Sequence, residues 1–252
     1  MEWRQQGELW VLEPEGGARG KGPANGLIEF IGGSYLAATP QLSYRRLLED
    51  LAARGWMIHA WSYVPGFDHQ NQANAAWRCF REAREAFQSS GTAALTRPLR
   101  LGHSLGCKLH LLAPDGGRGC DGLAALAFNN FSAERSVPLL AELGQPLGFR
   151  TEFSPSPRET LIQVQRSYRQ PRTLVVRFQR DSLDQSERLL AALRSRTSDR
   201  SELLALPGDH LTPASAGLRR NLLGSWADDP ARARQISGLA DQINAWGVSL
   251  RG

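Results

Sequence analysis

The 252-residue sequence is poor in cysteine, lysine and long apolar runs, and each shortage closes a class of function. Its three cysteines, Cys79, Cys107 and Cys120, form no Cys-x-x-Cys pair and have no histidine at metal-ligand spacing, so neither a disulfide framework nor a metal module is expected. Buried reduced thiols and a cytoplasmic location are the expectation instead. No stretch approaches the ~18 apolar residues that span a bilayer. The start, MEWRQQGELWVLEP, has neither a basic leader nor an apolar segment, so no transmembrane segment and no export are expected. Lysine occurs only at positions 21 and 108, and arginine supplies nearly all the positive charge. The 30 basic residues are offset by 25 acidic ones spread along the chain, leaving a net charge of +5. The pairs Arg45-Arg46 and Arg219-Arg220 and the cluster over 194–200 read as solvated helix faces and loops. With no nucleic-acid module beside them, no nucleic-acid partner is expected.

What is present is ordinary globular chemistry. Hydrophobic residues make up 41% and charged residues 22%, which suits a single domain over residues 1–252. Strand-like runs at 8–14, 27–33, 56–64, 99–103, 122–131, 173–178 and 201–210 alternate with helical patterns. The helices fall over 42–54, 71–88, the segment after Ser104, 158–168, 186–196 and 231–246, with one more helix before the last and an exposed glycine-rich turn at 15–26. Short connections between alternating elements imply an α/β fold with a doubly wound, mostly parallel sheet, because parallel neighbours need a crossover element. Residues 132–172 break the rhythm. They carry Pro138, Pro146, Pro155 and Pro157 and no strong strand, and read as an inserted lid.

Gly102-His103-Ser104-Leu105-Gly106 matches G-x-S-x-G between a strand and a helix, the setting of a nucleophile elbow. A serine hydroxyl is scarcely ionised at neutral pH and needs a base. Of the five histidines, His59 lies in an apolar strand, His103 inside the elbow with its side chain directed away from Ser104, and His110 nearly two turns down the following helix. His69 opens a helix and reads as a capping or surface residue. His210 follows the last strand in LPGDHLTP, where catalytic groups gather in open α/β sheets. The orienting acid is expected after the preceding strand, where RDSLD offers Asp181 and Asp184. Asp181 is preferred, with Asp184 as the alternate acid that would otherwise cap the next helix; Asp209 reads as a turn residue. The order Ser104, Asp181, His210 is the Ser…Asp…His order of one hydrolase architecture. The backbone amide of Leu105, at the start of a helix, is one candidate oxyanion donor, and those of Gly33 and Ser34 in Gly32-Gly33-Ser34-Tyr35 are candidates for the second. Tyr35 is a candidate pocket residue.

The set FIGGSYLAATPQLSYR, GFDH, GHSLG, FNNF, RDSLD and PGDHLTP resembles domain-of-unknown-function family 1350, α/β-hydrolase-like proteins of cyanobacteria and plant plastids, over about residues 25–245. The resemblance implies an α/β-hydrolase fold and a Ser-His-Asp triad. It also implies that Asn129 and Asn130 of FNNF matter, either lining the pocket or holding the lid. Against familiar hydrolases, Ile31 stands where the oxyanion loop often begins with histidine, and Lys108 and His110 occupy the elbow helix. The expected activity is a serine hydrolase of an ester or thioester, with no metal or organic cofactor. The apolar VPLLAEL run would either roof an acyl or lipid-like substrate or pack on the sheet. An inactive hydrolase-like binding protein and an acyltransferase using the same triad remain the alternatives.

Overall fold

Short runs, buried at every position in β3 to β6 because both faces of the sheet are covered, build with their neighbours eight strands into one sheet: β1 (Trp3–Gln6), β2 (Leu9–Leu12), β3 (Gly26–Ile31), β4 (Trp56–Trp61), β5 (Leu99–His103), β6 (Gly122–Leu126), β7 (Thr173–Phe178) and β8 (Glu202–Leu206). The structure, a computed structural model, describes residues 1–14, 25–34, 36–89, 97–133, 152–214 and 230–251. The strand order is β1-β2-β4-β3-β5-β6-β7-β8. From β4 to β8 every pairing is parallel, whereas β1–β2 and β2–β4 are antiparallel. The sequence pattern did not disclose β1, because WRQQ has no apolar alternation and forms an exposed edge.

The helices are α1 (Pro40–Ser43), α2 (Arg45–Ala53), α3 (His69–Ser89), α4 (Leu105–Leu111), α5 (Pro157–Ser167), α6 (Ser186–Arg194) and α7 (Pro230–Ser249). The pattern over 42–54 suggests one helix. In the structure Tyr44 leaves the helical region, with φ −121° and ψ 18°, and separates α1 from α2. α5 begins at a capping box in which the Ser156 hydroxyl accepts from the Glu159 amide and the Glu159 carboxylate accepts in return from the Ser156 amide. Two strands stop earlier than their apolar runs. β6 ends at Leu126 because Ala127 turns to a φ of 49°, and Gly208, with a φ of 137°, turns the chain shortly after β8. The turn over 15–24, the central part of the expected lid (134–151) and the segment 215–229, where the penultimate helix was expected, lie outside the described residues.

Alternation along the strands sends apolar side chains to both faces. Ile28, Phe30, Ile58, Leu99, Leu101 and Val176 pack with Leu47, Leu48 and Leu51 of α2 and Leu239 and Ile243 of α7. On the opposite face, Ile31 and Val11 pack with Phe80 of α3 and Leu109 of α4, and Leu123 and Val175 with Val164 of α5 and Leu189 of α6. This second face also buries charge. Glu29 pairs in register with His59 and Arg100 on its two neighbouring strands. Arg100 donates to both carboxylate oxygens of Asp115, at 3.0 and 2.8 Å, and Arg84 pairs with Glu29. Paired this way, with Arg100 Nε also 3.6 Å from the second Glu29 oxygen, these charges can stay in a dry layer that would otherwise expel them.

Candidate active site

Ser104 stands between the end of β5 and the start of α4 with φ 54° and ψ −119°, a conformation that non-glycine residues seldom adopt. Its flanking glycines are required by space. A Cβ on Gly102 would lie 2.7 Å from the Cys107 backbone, and one on Gly106 would lie 2.0 Å from the Ile31 carbonyl oxygen. The Ser104 amide donates to the Leu126 carbonyl at 2.9 Å, which ties the elbow to β6.

Two other loops at the same edge of the sheet deliver the remaining polar side chains. His210 follows β8, and its Nε2 lies 3.1 Å from Ser104 Oγ while its Nδ1 lies 2.8 Å from Asp181 Oδ2. The Asp181 side chain, in the turn after β7, is fully buried, and its Oδ1 accepts from the Leu183 amide at 2.8 Å. Ser104, His210 and Asp181 are therefore brought together. Asp184 is turned elsewhere, since its Oδ1 accepts from Ser186 Oγ at 2.5 Å. Burial raises the Asp184 carboxyl above its ordinary range, and the nearby Asp181 charge adds to this against the bonds from Ser186. Asp209 is held by Arg232 at 3.1 Å and accepts from the Leu211 amide, as suits a turn residue.

Of the backbone donors, Leu105 opens α4, where the first amides have no partner within the helix. Gly33 is already engaged: its N–H donates to the Tyr44 hydroxyl at 2.8 Å. Ser34, the next residue, is half-buried, and Tyr35 lies outside the described residues. Beneath this loop, the fully buried Tyr44 hydroxyl lies 2.8 Å from His103 Nδ1, and His103 Nε2 lies 2.8 Å from the His210 carbonyl oxygen. Burial, reinforced by His210, lowers the His103 pKa to about 3, and burial pushes the Tyr44 hydroxyl well above its ordinary value. Sequence reasoning did not single out Tyr44. The available signal was a tyrosine on the same apolar stripe as Leu47, Leu48 and Leu51, whose buried hydroxyl must find a partner.

Asn130 is buried. Its Nδ2 donates to the Pro157 carbonyl at 2.8 Å and its amide to Gln185 Oε1 at 3.0 Å, so it joins the start of α5 to the turn before α6; Asn129 beside it is half-buried. Lys108, one turn below Ser104, is 1% exposed and donates to the Pro155 carbonyl at 2.9 Å, 5.7 Å from the centre of the Phe153 ring. His69 was expected to cap or to face solvent. It is instead buried and stacked on Phe153 with centroids 4.2 Å apart, while the Asp68 carboxylate caps α3 by accepting from the Asn71 amide. Among the described residues, no three His, Cys, Asp or Glu side chains are grouped to hold a metal ion, and no helix is long and apolar enough to cross a membrane.

Comparison with known proteins agrees on the architecture. An esterase domain from Rhodothermus marinus is 14% identical, with 96% of this chain and 92% of that one covered at a TM-score of 0.55. A monoacylglycerol lipase from Paleococcus ferrophilus is 14% identical over 99% and 100% of the two chains, at 0.59. The butyrate-bound esterase Est2 from Thermogutta terrifontis is 15% identical over 94% and 88%, at 0.60. At such identities the likeness establishes the fold, which is that of the α/β-hydrolases. No curated protein matches the sequence. Residues 2–229 match the family described as "Protein of unknown function (DUF1350)", and with nearly the whole chain covered, the protein belongs to that family.

Proposed function

We propose that this protein is a serine hydrolase acting on an acyl ester or thioester. The observation that carries the reading is the unbroken line Asp181 Oδ2, His210 Nδ1, His210 Nε2, Ser104 Oγ, with both contacts at hydrogen-bond length. In this reading the Ser104 oxygen attacks the substrate carbonyl as its proton passes to His210 Nε2. Asp181 keeps the His210 proton on Nδ1, so that Nε2 is free to accept, and stabilises the imidazolium. The amides of Leu105 and Ser34 stabilise the oxyanion. Collapse of the tetrahedral intermediate releases the alcohol or thiol, which takes the proton from His210. Water, deprotonated by the same imidazole, then cleaves the acyl-enzyme to the carboxylic acid. An acyl acceptor in place of that water would make the protein a transferase with unchanged roles.

The apolar character of the rim supports an acyl substrate. Val64 and Phe67 after β4, Leu183 after β7 and Leu211 after β8 keep exposed apolar side chains in loops at the carboxyl ends of the strands. The solved esterases and the monoacylglycerol lipase that share the fold point the same way. A fluorophosphonate probe tests the reading directly. The wild type is expected to be labelled and Ser104→Ala not, while His210→Ala slows hydrolysis of short p-nitrophenyl esters by about a thousandfold or more. An unlabelled wild-type protein would instead favour a hydrolase-like fold used only for binding.

A further inference from the structure

The geometry points to Tyr44 and His103 as positioning residues that lock the oxyanion loop, residues 32–34, to the loop that carries His210. The directions of their hydrogen bonds follow from chemistry alone. The His210 carbonyl can only accept, so the proton of neutral His103 sits on Nε2 and is donated across 2.8 Å. That leaves His103 Nδ1 as an acceptor, which the Tyr44 O–H fills at 2.8 Å. The Tyr44 oxygen in turn accepts the Gly33 N–H, also at 2.8 Å. The bonds thus run from Gly33 through Tyr44 and His103 to His210, and Tyr44 and His103 are no more than 1% exposed. With burial holding the imidazole neutral down to about pH 3, the polarity of the chain does not reverse in the working range.

Packing leaves the chain no slack. A Cβ on Gly33 would lie 3.1 Å from Ser104 Cβ and 3.2 Å from His103 Nδ1, and the His103 and His210 rings are 5.1 Å apart. Gly33 acts as an anchor, so Ser34 and Leu105 are the amides turned to the substrate. The bond at the His210 carbonyl fixes the backbone from which the imidazole projects. Neither Tyr44 nor His103 needs to touch the substrate. Their effect is on the spacing between the base and the oxyanion donors, where misplacement by about 1 Å costs on the order of a hundredfold in rate.

The kinetic consequence rests on the serine hydrolase reading, whereas the coupling of the two loops does not, and the test separates them. In the hydrolase, Tyr44→Phe and His103→Phe are each expected to lower kcat by about 10–100-fold with KM little changed. The double variant should lose about as much as either single one, because both changes break one chain. His103→Gln, which keeps an N–H for the His210 carbonyl, should recover most of the loss. Independently of turnover, histidine-selective 15N labelling of the five histidines reads tautomer and titration by NMR. His103 is expected as the Nε2–H form, without titration between about pH 5 and 8, and Tyr44→Phe should shift the His210 ring resonances. An Nδ1–H tautomer, titration of His103 near its ordinary value, strictly additive rate losses or His210 signals indifferent to Tyr44→Phe would each overturn the inference. A wild type that neither reacts with the probe nor turns over ester removes the hydrolase reading alone, and the tautomer and the His210 response still decide the coupling.

Discussion

Lys108 is the group whose ionisation should register most clearly in stability. Its ammonium is buried with one carbonyl acceptor, Pro155, and one aromatic face, Phe153, although an ammonium can donate three hydrogen bonds. Burial lowers its pKa from 10.5 to about 8, against the opposing pull of Glu152 and Glu159. Below the folded value the lysine is charged in both states, and the native state carries the full cost of stripping water from the charge. Between about pH 8 and the unfolded value of 10.5 the native lysine has given up its proton while the unfolded one retains it, so this group makes stability rise with pH. At 1.36 kcal/mol per pKa unit the whole rise is about 3 kcal/mol. Other groups pull the opposite way. Burial pushes the Cys79 thiol up to about 11 and raises Cys107, Cys120, Tyr44, Tyr63 and Tyr168, all of which ionise first in the unfolded chain. The raw profile therefore mixes both signs, and the comparison must be a difference. Lys108→Met keeps the length and apolar stem while removing the charge. The wild-type stability minus that of Lys108→Met, from urea unfolding at steps between about pH 7 and 10.5, is expected to climb by about 3 kcal/mol. Parallel curves, with a difference constant to within about 0.5 kcal/mol, would refute the argument that this lysine is held dehydrated.

The two carboxylates after β7 can be told apart by isosteric change. Asp181→Asn is expected to lower kcat for ester hydrolysis by about 10³–10⁴-fold, through the wrong His210 tautomer, and Asp184→Asn by less than about threefold, since it faces Ser186. The reverse ranking in a p-nitrophenyl ester assay would transfer the role to Asp184. Two glycine substitutions should move thermal stability in opposite directions. Gly106→Ala places a methyl 2.0 Å from the Ile31 carbonyl oxygen and should cost more than about 3 kcal/mol. Gly238→Ala, in the interior of α7 with nothing within 4 Å of the new methyl, should add about 0.5–1 kcal/mol.

The parallel core of the sheet was legible because β3 to β7 are apolar runs bounded by turn residues and spaced by helical stripes. What escaped depended on contacts between elements distant in sequence. The break at Tyr44 is invisible to periodicity, since Tyr44, Leu47, Leu48 and Leu51 read as one apolar stripe, yet in the structure Leu42 before the break is 43% exposed and the Tyr44 ring reaches His103, 59 positions away. The partners of Gly33 could not be read for the same reason, and an amide free on paper proves engaged in the fold. Charge was misjudged where burial decides it. The arginines over 194–200 read as solvated, but the Arg196 side chain is buried, paired with Asp199 at 2.6 Å and donating to the Tyr168 and Gln170 carbonyls; Arg100, at an alternating position in β5, is likewise buried between Asp115 and Glu29. Lys108, which departs from familiar hydrolases on the elbow helix, is buried there against a carbonyl and a ring. Asp181 and Asp184 are three residues apart in one loop, and only their hydrogen-bond partners separate them.

The spacing of the Ser104, Asp181 and His210 loops is largely a property of the sheet. The ladder continues past the strand ends: the Ser104 amide bonds to the Leu126 carbonyl at 2.9 Å, Ala127 to Val176 at 2.8 Å, Gln179 to Leu206 at 3.0 Å and Arg180 to Gly208 at 2.9 Å. Each bond ties one loop to the next across β5, β6, β7 and β8, so residues as far apart in sequence as 104 and 210 sit on a framework of main-chain bonds. On the other flank of the elbow the β3–β5 register reaches only to the Ile31–Gly102 pair. Beyond that pair the glycine loop is held by side chains: the Tyr63 hydroxyl donates to the Gly32 carbonyl at 3.0 Å, and the Tyr44 hydroxyl links Gly33 to the His103 ring. Side-chain hydrogen bonds thus take over where the backbone ladder stops, and this is why a change at Tyr44, which lies on neither β5, β7 nor β8, is expected to alter the relation of Gly33 to His210.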